Sequence, residues 1–181
     1  ELLDFRKIEE GKLAIHLAKG DVTPVLRDLM ESLKPLSESA RISCSLDCTE
    51  SCQGWFDFDK IQKIFTNLIS NAMKYTSAGG DVKVYLSESG AGRSPRMLKF
   101  VVEDTGAGIT HEHLGRIFDR FYRVHEASMA VGAGIGLNLT RELVDLLGGS
   151  VQVESPIHDD PDRPGSRFTV ELPIEEEGPP V

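Results

Sequence analysis

The sequence predicts an α+β fold, a two-layer α/β sandwich in which helices cover one face of a mixed sheet. Helical and strand patterns mix along the 181 residues without the regular strand–helix–strand alternation of a parallel sheet. The strongest strand patterns, over residues 81–89 and 96–104, are separated by a short polar stretch that is typical of a hairpin loop. The length suits one domain, and an apolar content of 40% is enough for a buried core.

The first forty residues contain one well-marked helix. Residues 1–12 are charged with apolar residues at helical spacing, and we interpret them as the end of a helix that starts upstream of a domain over 13–174. A weak alternation over 13–18 predicts a strand. Thr23 followed by Pro24 predicts a helix start, because a hydroxyl caps well and proline suits the first turn. The apolar stripe of this helix consists of Val25, Leu26, Leu29, Met30, Leu33 and Leu36.

A second helix is expected in the middle of the chain, after two short strands. Residues 42–47 and 55–59 predict these strands as a pair. Asp59 with Gln62 resembles a capping box, so the helix is expected to start there and to end near Gly79. Its predicted apolar face consists of Ile61, Phe65, Leu68 and Ala72.

The last third predicts two helices and two strands. Thr110 is expected to cap a short helix that leads into residues 115–124. A Gly-rich stretch over 132–137 opens a helix that runs to about Leu147. Residues 150–155 and 166–172 predict the final strands, and residues 175–181 are interpreted as a tail or linker.

Charge and composition exclude several functions. A net charge of −9 argues against a nucleic-acid partner, because phosphate backbones need a basic face. No apolar run approaches the ~20 residues of a membrane span, so we expect no direct membrane contact by this domain. Cys44, Cys48 and Cys52 are odd in number and lack paired C-x-x-C units, which predicts free thiols rather than disulfides or a metal site.

The first candidate site is on the second helix. Asn67, Asn71 and Lys74 are spaced to share one helical face, expected opposite the apolar face. Two amides and an ammonium could hold Mg²⁺ and a polyphosphate. A plain solvated helix face would have the same spacing, so this pattern alone does not decide.

The second candidate site follows a buried-looking strand. Asp104 ends the strand and is followed by Gly106 and Gly108. The carboxylate could accept a hydrogen bond from an amine such as N6 of adenine, and the glycines would let the backbone approach a ligand closely. An ordinary Asp-containing turn is the alternative.

A third candidate is the glycine series Gly132, Gly134 and Gly136, which precedes a helix and could present N–H groups to phosphate. Its spacing differs from the dinucleotide-binding G-x-G-x-x-G, and it lacks the Lys-Ser/Thr ending of a P-loop. A flexible loop is the alternative.

The segment before these glycines combines cations with aromatic residues. Its arginines have helical spacing and could offset the charge of a polyphosphate, whereas its aromatic side chains are expected to pack. The arginines are Arg116, Arg120 and Arg123, and the aromatic residues are Phe118, Phe121 and Tyr122.

The order of these segments is more specific than any one of them. The Asn-rich helix, the D-x-G-x-G turn, the Phe-rich segment, the G-x-G-x-G helix and the strand that begins G-S-x-F at Gly165 resemble the N, G1, F, G2 and G3 boxes of bacterial sensor histidine kinases. These kinases belong to the GHKL ATPases, with gyrase, heat-shock chaperones and mismatch-repair ATPases. The resemblance covers residues 13–173, implies a Bergerat-type fold that binds ATP and Mg²⁺, and makes 1–12 similar to the end of the kinase dimerisation hairpin.

The resemblance also implies roles for single residues. Asn71 would hold Mg²⁺ with support from Asn67, Lys74 would meet phosphate, and Asp104 would bind the adenine amine. Residues 124–133 would form a lid over the nucleotide. Further residues implied around ATP are Tyr75, Gly106, Gly108, Ile109, Arg120, Gly132, Gly134, Ile135, Gly136, Leu137 and Ser166.

The implied reaction transfers the γ-phosphate of ATP to a histidine on the dimerisation helices of the parent kinase, for relay to a response-regulator receiver domain. The usual acceptor pattern of His, an acid, a basic residue, Thr or Asn, and Pro is absent from this chain, and we interpret all five histidines as non-catalytic. A GHKL ATPase and a non-catalytic regulatory module are the alternatives. In the ATPases a water-activating Glu occupies the position of Asn67.

Overall fold

The predicted α+β fold is confirmed by a computed structural model, which describes residues 13–90, 96–122, 135–176 and 178. In chain order the elements are β1 (Ala18–Asp21), α1 (Val22–Ala40), β2 (Ser43–Cys48), β3 (Gln53–Phe56), α2 (Phe58–Tyr75), β4 (Asp81–Ser89), β5 (Met97–Asp104), α3 (His111–Leu114), α4 (Gly136–Leu146), β6 (Ser150–Glu154) and β7 (Ser166–Pro173).

The main sheet is mixed and has five strands in the order β2-β4-β5-β7-β6. Strand β2 is parallel to β4, and the other neighbouring strands are antiparallel. Strands β1 and β3 form a separate antiparallel pair. Helix α2 packs on β4 and β5 and lies between α1 and α4. Helix α1 packs on β2, and α4 packs on β6. No helix of the described residues is both long and apolar enough to cross a bilayer.

The inner face of the sheet is apolar until its last residues. Alternate residues of β5 and β7 are buried, as the period of two requires for a sheet covered on one face. The ring of Phe100 on β5 packs 4.2 Å from that of Phe65 on α2. The same inner rows end in Asp104 and Ser166, which face each other in the β5–β7 register. The fold therefore places a polar pair at the edge of the core.

The helix caps differ from the sequence predictions. Helix α1 is capped by Asp21, whose carboxylate accepts the N–H of Thr23, so Thr23 lies inside the helix. Helix α2 is capped by Asp57, two residues before the predicted Asp59. Asp59 instead pairs with Lys63, at 2.8 Å, one turn along. In both places an upstream acid caps because other segments also donate to it: the N–H groups of Cys52 and His16 bind Asp21 and Asp57, respectively.

Five further boundaries and contacts differ from expectation. The first strand begins at Ala18 instead of spanning 13–18, and the strands predicted at 42–47 and 55–59 belong to separate sheets. Helix α2 ends at Tyr75, before Gly79. Leu36 is 54% exposed, whereas the next residue, Ser37, is the buried residue of this last part of α1. Residues 1–12 lie outside the described residues, and Glu175, in the predicted tail, is bridged to Trp55.

Candidate functional site

Asp104 is a buried carboxylate held by backbone donors. Its side chain is almost inaccessible, and its Oδ1 accepts the N–H of Gly106 at 2.8 Å. Burial raises the pKa of the Asp104 carboxyl above its ordinary value of 3.8, while the backbone N–H groups of Gly106 and Ser166 and the nearby His158 offset part of that rise. An acceptor that is fixed and desolvated in this way is suited to recognising a donor such as an amine.

The turn after Asp104 has no room for side chains at its glycines. A Cβ atom on Gly106 would lie 2.3 Å from the carbonyl oxygen of Tyr75, at the end of α2. Gly108 has a φ of +67°, and a Cβ there would lie 2.9 Å from Pro164. Both positions therefore require glycine, for close approach in one case and for backbone conformation in the other. The Asp104–Gly108 turn is thus pressed between the end of α2 and the β6–β7 loop.

Ser155 fastens this turn to the β6–β7 loop and was not identified from the sequence. Its hydroxyl accepts the N–H of Ile109 at 2.8 Å and donates to the carbonyl of Gly165 at 2.7 Å. The N–H of Gly165 in turn donates to the carbonyl of Gly106, at 3.1 Å. The only sign of Ser155 in the sequence was a hydroxyl residue at the end of the predicted strand. Its two partners are 46 and 10 residues away in the chain, so spacing could not reveal them.

The C-terminal half of α2 lies next to the same turn. Ala107 donates its N–H to the carbonyl of Tyr75 at 3.4 Å. Lys74 and Tyr75 are exposed, and the ammonium of Lys74 lies 5.0 Å from the centre of the Tyr75 ring. Asn71 is half-buried one turn earlier. Asn71 and Lys74 therefore lie in the last turns of α2, and the carbonyl of its final residue, Tyr75, contacts the Asp104–Gly108 turn.

Asn67 does not lie on the exposed face with Asn71 and Lys74, so that prediction is wrong. Its side chain is 9% exposed and its Nδ2 donates to the carbonyl of Gly136, the first residue of α4, at 3.1 Å. The cause is the packing of α4 against α2, which covers this part of the polar face. Asn67 thus links two of the sequence segments instead of facing solvent.

The described part of the glycine-rich segment starts at Ile135, which is buried, and continues into α4 with Gly136 and Leu137. The helix starts and ends within a residue of its predicted bounds. Gly132, Gly134 and Arg123 lie outside the described residues.

The Phe-rich segment is only partly a packing element. Phe118 is buried, with Phe168 at its edge and the Arg141 guanidinium over its ring. Phe121 is 56% exposed, which contradicts the expected packing. Its backbone is left-handed, with a φ of +61°, and its ring lies against the Arg120 guanidinium instead of the core. Regular helix ends at Leu114, so the helical spacing expected for Arg116 and Arg120 is not formed.

The arginines of this segment contact aromatic rings nearby. Arg116 lies over the Tyr122 ring and 3.6 Å from the carboxylate of Asp119. Arg120 lies over the ring of Phe121, 4.6 Å from its centre. These contacts place both cations at the surface, where Arg120 is exposed.

A hollow of about 440 Å³ lies on the opposite face of the sheet, away from Asp104. Its charged groups already neutralise one another: Arg167 contacts Glu103 at 2.6 Å and Glu154 at 3.0 Å. The hollow is open and its charges are paired. We therefore assign the candidate site to the Asp104 side of the molecule.

The chain is similar to proteins of a known family. The family model described as "Histidine kinase-, DNA gyrase B-, and HSP90-like ATPase" matches residues 56–176. Among curated relatives, the alginate biosynthesis sensor protein KinB of Pseudomonas aeruginosa is 31% identical over 175 residues, covering 96% of this chain and 27% of its own. The hybrid signal transduction histidine kinase D of Dictyostelium discoideum is 31% identical and covers 96% of this chain and 11% of its own. The chain thus spans about a quarter or less of the length of these relatives.

Solved structures show the same fold. Full-length ShkA in complex with AMPPNP superimposes with a TM-score of 0.80 at 26% identity, covering 99% of this chain and 36% of that chain. The mycobacterial sensor histidine kinase MprB has a TM-score of 0.72 at 24% identity and covers 90% of this chain and 100% of that chain. The matched region contains every described candidate residue. The chain therefore belongs to the family of histidine kinase-, DNA gyrase B- and HSP90-like ATPases, as the resemblance of its sequence boxes to sensor histidine kinases predicted.

Proposed function

We propose that this domain binds Mg-ATP and transfers the γ-phosphate to a histidine on the dimerisation helices of a sensor kinase. The phosphohistidine then supplies a response-regulator receiver domain. The domain would act in the cytoplasm, as part of a larger kinase. The observation that carries the proposal is the buried Asp104 carboxylate, fixed by the N–H groups of Gly106 and Ser166 at the open end of the sheet.

Adenine recognition follows from the chemistry of Asp104. A carboxylate accepts a hydrogen bond from the N6 amine of adenine but not from the carbonyl oxygen at the same position of guanine. Gly106 and Gly108 leave the turn free of side chains, Ile109 would lie against the base, and Ser166 would approach it through water. That ShkA was crystallised with AMPPNP supports an adenine nucleotide as the ligand.

The phosphate side of the site would be formed by α2 and α4. Asn71 offers an amide oxygen, a hard neutral ligand that suits Mg²⁺. No described residue hydrogen-bonds its side chain, so the amide is available to a ligand. Lys74 would meet phosphate as a point charge. Arg120 and the start of α4, with Ile135, Gly136 and Leu137, would complete the site, together with Gly132 and Gly134, which lie outside the described residues.

Most of the catalysis would come from positioning and charge neutralisation. The domain offers Asn71 and Lys74 near the phosphates and no carboxylate at the position of Asn67. Mg²⁺, when bound, would neutralise the charge that develops on the transferred phosphate. The protein's own contribution is to hold the γ-phosphate where the partner histidine can attack it.

Nucleotide-binding calorimetry tests the proposal. ATP should bind more tightly with Mg²⁺ than without it, and more tightly than GTP under both conditions. Asp104→Ala should weaken ATP binding by about 1–3 kcal/mol, as for a lost hydrogen bond to a charged group. Asp47→Ala, which removes an exposed acid on β2, is the matched control and should bind as the wild type does. Equal affinity for ATP and GTP would reject the assignment of Asp104.

Phosphotransfer is tested by adding the acceptor. The chain alone should not become labelled on histidine with radioactive ATP, because the acceptor pattern is absent. Mixed with the dimerisation hairpin of its parent kinase, it should label the hairpin histidine. An acid-labile label on His111 in the isolated chain would show that the histidines were misinterpreted.

A further inference from the structure

Asn67 and Thr140 meet at one backbone oxygen, the carbonyl of Gly136 at the start of α4. Asn67 Nδ2 donates to this oxygen at 3.1 Å, and the Thr140 hydroxyl donates to it at 2.9 Å. Asn67 Nδ2 also lies 3.5 Å from Thr140 Oγ1. Thr140 is completely inaccessible and Asn67 nearly so. A side chain of α2 is thereby joined to the first turn of α4 inside the protein.

The chemistry fixes the orientation of the Asn67 amide. A carbonyl oxygen can only accept, so the NH₂ group of Asn67 must face Gly136. Its Oδ1 lies against the Gly136 backbone, where a Cβ atom would stand 3.2 Å from it. Gly136 therefore leaves the space that Asn67 fills. A carboxylate in place of Asn67 would have no donor for the Gly136 carbonyl.

We propose that Asn67 and Thr140 are a positioning pair that fixes the first turn of α4 relative to α2. The inference rests on the proposed function, in which Asn71 on α2 and the start of α4 contact the same triphosphate. Asn67 would thus support metal and phosphate binding through α4, instead of acting as a direct ligand of Mg²⁺. Thr140, which has no place in the implied nucleotide site, becomes a determinant of nucleotide affinity.

The two roles predict different Mg²⁺ dependence. Affinity for ATP is measured by calorimetry over a Mg²⁺ series for Asn67→Ala, Thr140→Val and the double variant. Each single change should weaken ATP binding about three- to tenfold at every Mg²⁺ concentration, as for one lost neutral hydrogen bond. The double variant should bind ATP with about the affinity of the single variant that binds it less tightly, because both residues act through Gly136. Thr140→Ser, which keeps the hydroxyl, should restore binding.

Two controls separate this effect from loss of helix stability and from metal binding. Thr66→Val removes a hydroxyl that bonds only to its own helix, at Gln62, and should leave affinity unchanged. Asn71→Ala should instead raise the Mg²⁺ concentration needed for binding. If Asn67→Ala behaves like Asn71→Ala while Thr140→Val has no effect, Asn67 acts on the metal and the proposed pair is wrong.

Amide hydrogen exchange provides a readout that needs no nucleotide. Both single variants should exchange faster than wild type over residues 136–140 and not in β4 or β5. Absence of ATP binding by the wild-type chain would reject the proposed function, and exchange would still test the pair. Unchanged exchange at the start of α4 in both variants would overturn the proposal that Asn67 and Thr140 fix this turn.

Discussion

The carbonyl oxygen of Tyr75, at the end of α2, lies so close to Gly106 that a Cβ atom on Gly106 would stand 2.3 Å from it. The same Cβ would lie 2.9 Å from Asp104 Oδ1. Gly106 therefore lies between the end of a helix and a buried carboxylate. Any side chain at position 106 must displace one of the other two.

Gly106→Ala should reduce ATP affinity by more than tenfold and lower the free energy of unfolding by about 1–3 kcal/mol, as for an overpacked site. The methyl group would push Asp104 and the end of α2 apart. Calorimetry and urea denaturation measure the two effects. Gly115→Ala is the matched control, because a Cβ there meets no atom within 4 Å. Wild-type affinity in Gly106→Ala would show that the turn is adaptable.

Asp104→Asn should change how stability depends on pH. Because burial raises the folded-state pKa of Asp104 above 3.8, its contribution to stability is fully present below 3.8 and is lost as the pH rises through the folded-state pKa. The variant lacks this titration. Its melting temperature relative to wild type should therefore increase as the pH is raised from about 4. A difference that stays constant with pH would contradict the raised pKa.

Lys60→Met should destabilise the domain by about 3–5 kcal/mol, because it leaves a buried carboxylate without its cation. Lys60 Nζ lies 2.6 Å from Asp57 Oδ2, and both side chains are almost inaccessible. Urea denaturation measures the loss. The control is Lys99→Met, which removes a contact of 3.9 Å between two solvent-accessible side chains, those of Lys99 and Glu171, and should cost at most about 0.5 kcal/mol. Equal effects of the two changes would show that burial does not strengthen the inner pair.

The buried pair of Asp57 and Lys60 should also affect how the free energy of unfolding of the wild type falls at acid pH. Although burial raises the pKa of Asp57, hydrogen bonds from the His16 N–H and from Lys60 hold it below its ordinary value of 3.8. Its contribution is therefore present above 3.8 and is lost as the pH falls through the folded-state pKa. The double variant Asp57→Asn with Lys60→Met should recover much of the stability lost in Lys60→Met.

The isolated chain should hydrolyse ATP very slowly although it binds ATP. Asn67 is neutral and barely basic, and its NH₂ group faces Gly136, so it cannot take a proton from water. Absence of a general base removes typically about 10²–10⁴-fold of rate. Steady-state phosphate release at saturating Mg-ATP is the assay. Turnover on the order of 1 s⁻¹ or faster would favour a chaperone- or topoisomerase-type ATPase.

Local patterns in the sequence predicted the central sheet closely. The strand expected at 81–89 is β4 without change, because strict alternation and a following hairpin fix both its face and its bounds. Asp104 was found for the same reason, as a carboxylate that ends a buried strand. The caps of α1 and α2 were placed on the wrong residues, since several neighbouring side chains can cap and the choice depends on distant donors.

Contacts between segments account for the rest of the differences. The helical period put Asn67 on a polar face but carried no information about the Gly136 carbonyl, which is 69 residues away in the chain. Ser155 was missed because its partners come from two other segments. Phe121 was expected to pack because it is aromatic, and its residue type carried no information about its left-handed backbone conformation. Sequence periods therefore located single elements, whereas the links between them required the structure.

The small β1–β3 sheet has a mechanical consequence. Trp55 pairs on one edge with Lys19 of β1, where the described chain enters, and on the other with Glu175, where it leaves, through an N–H···O bond of 3.0 Å. Tension applied between these two segments would be carried across β3 by a few hydrogen bonds. Asp104 lies away from this path, because it pairs with Ser166 at the end of the β5–β7 ladder opposite Pro173. A force applied to either segment would therefore reach β3 before it reached the turn that holds Asp104.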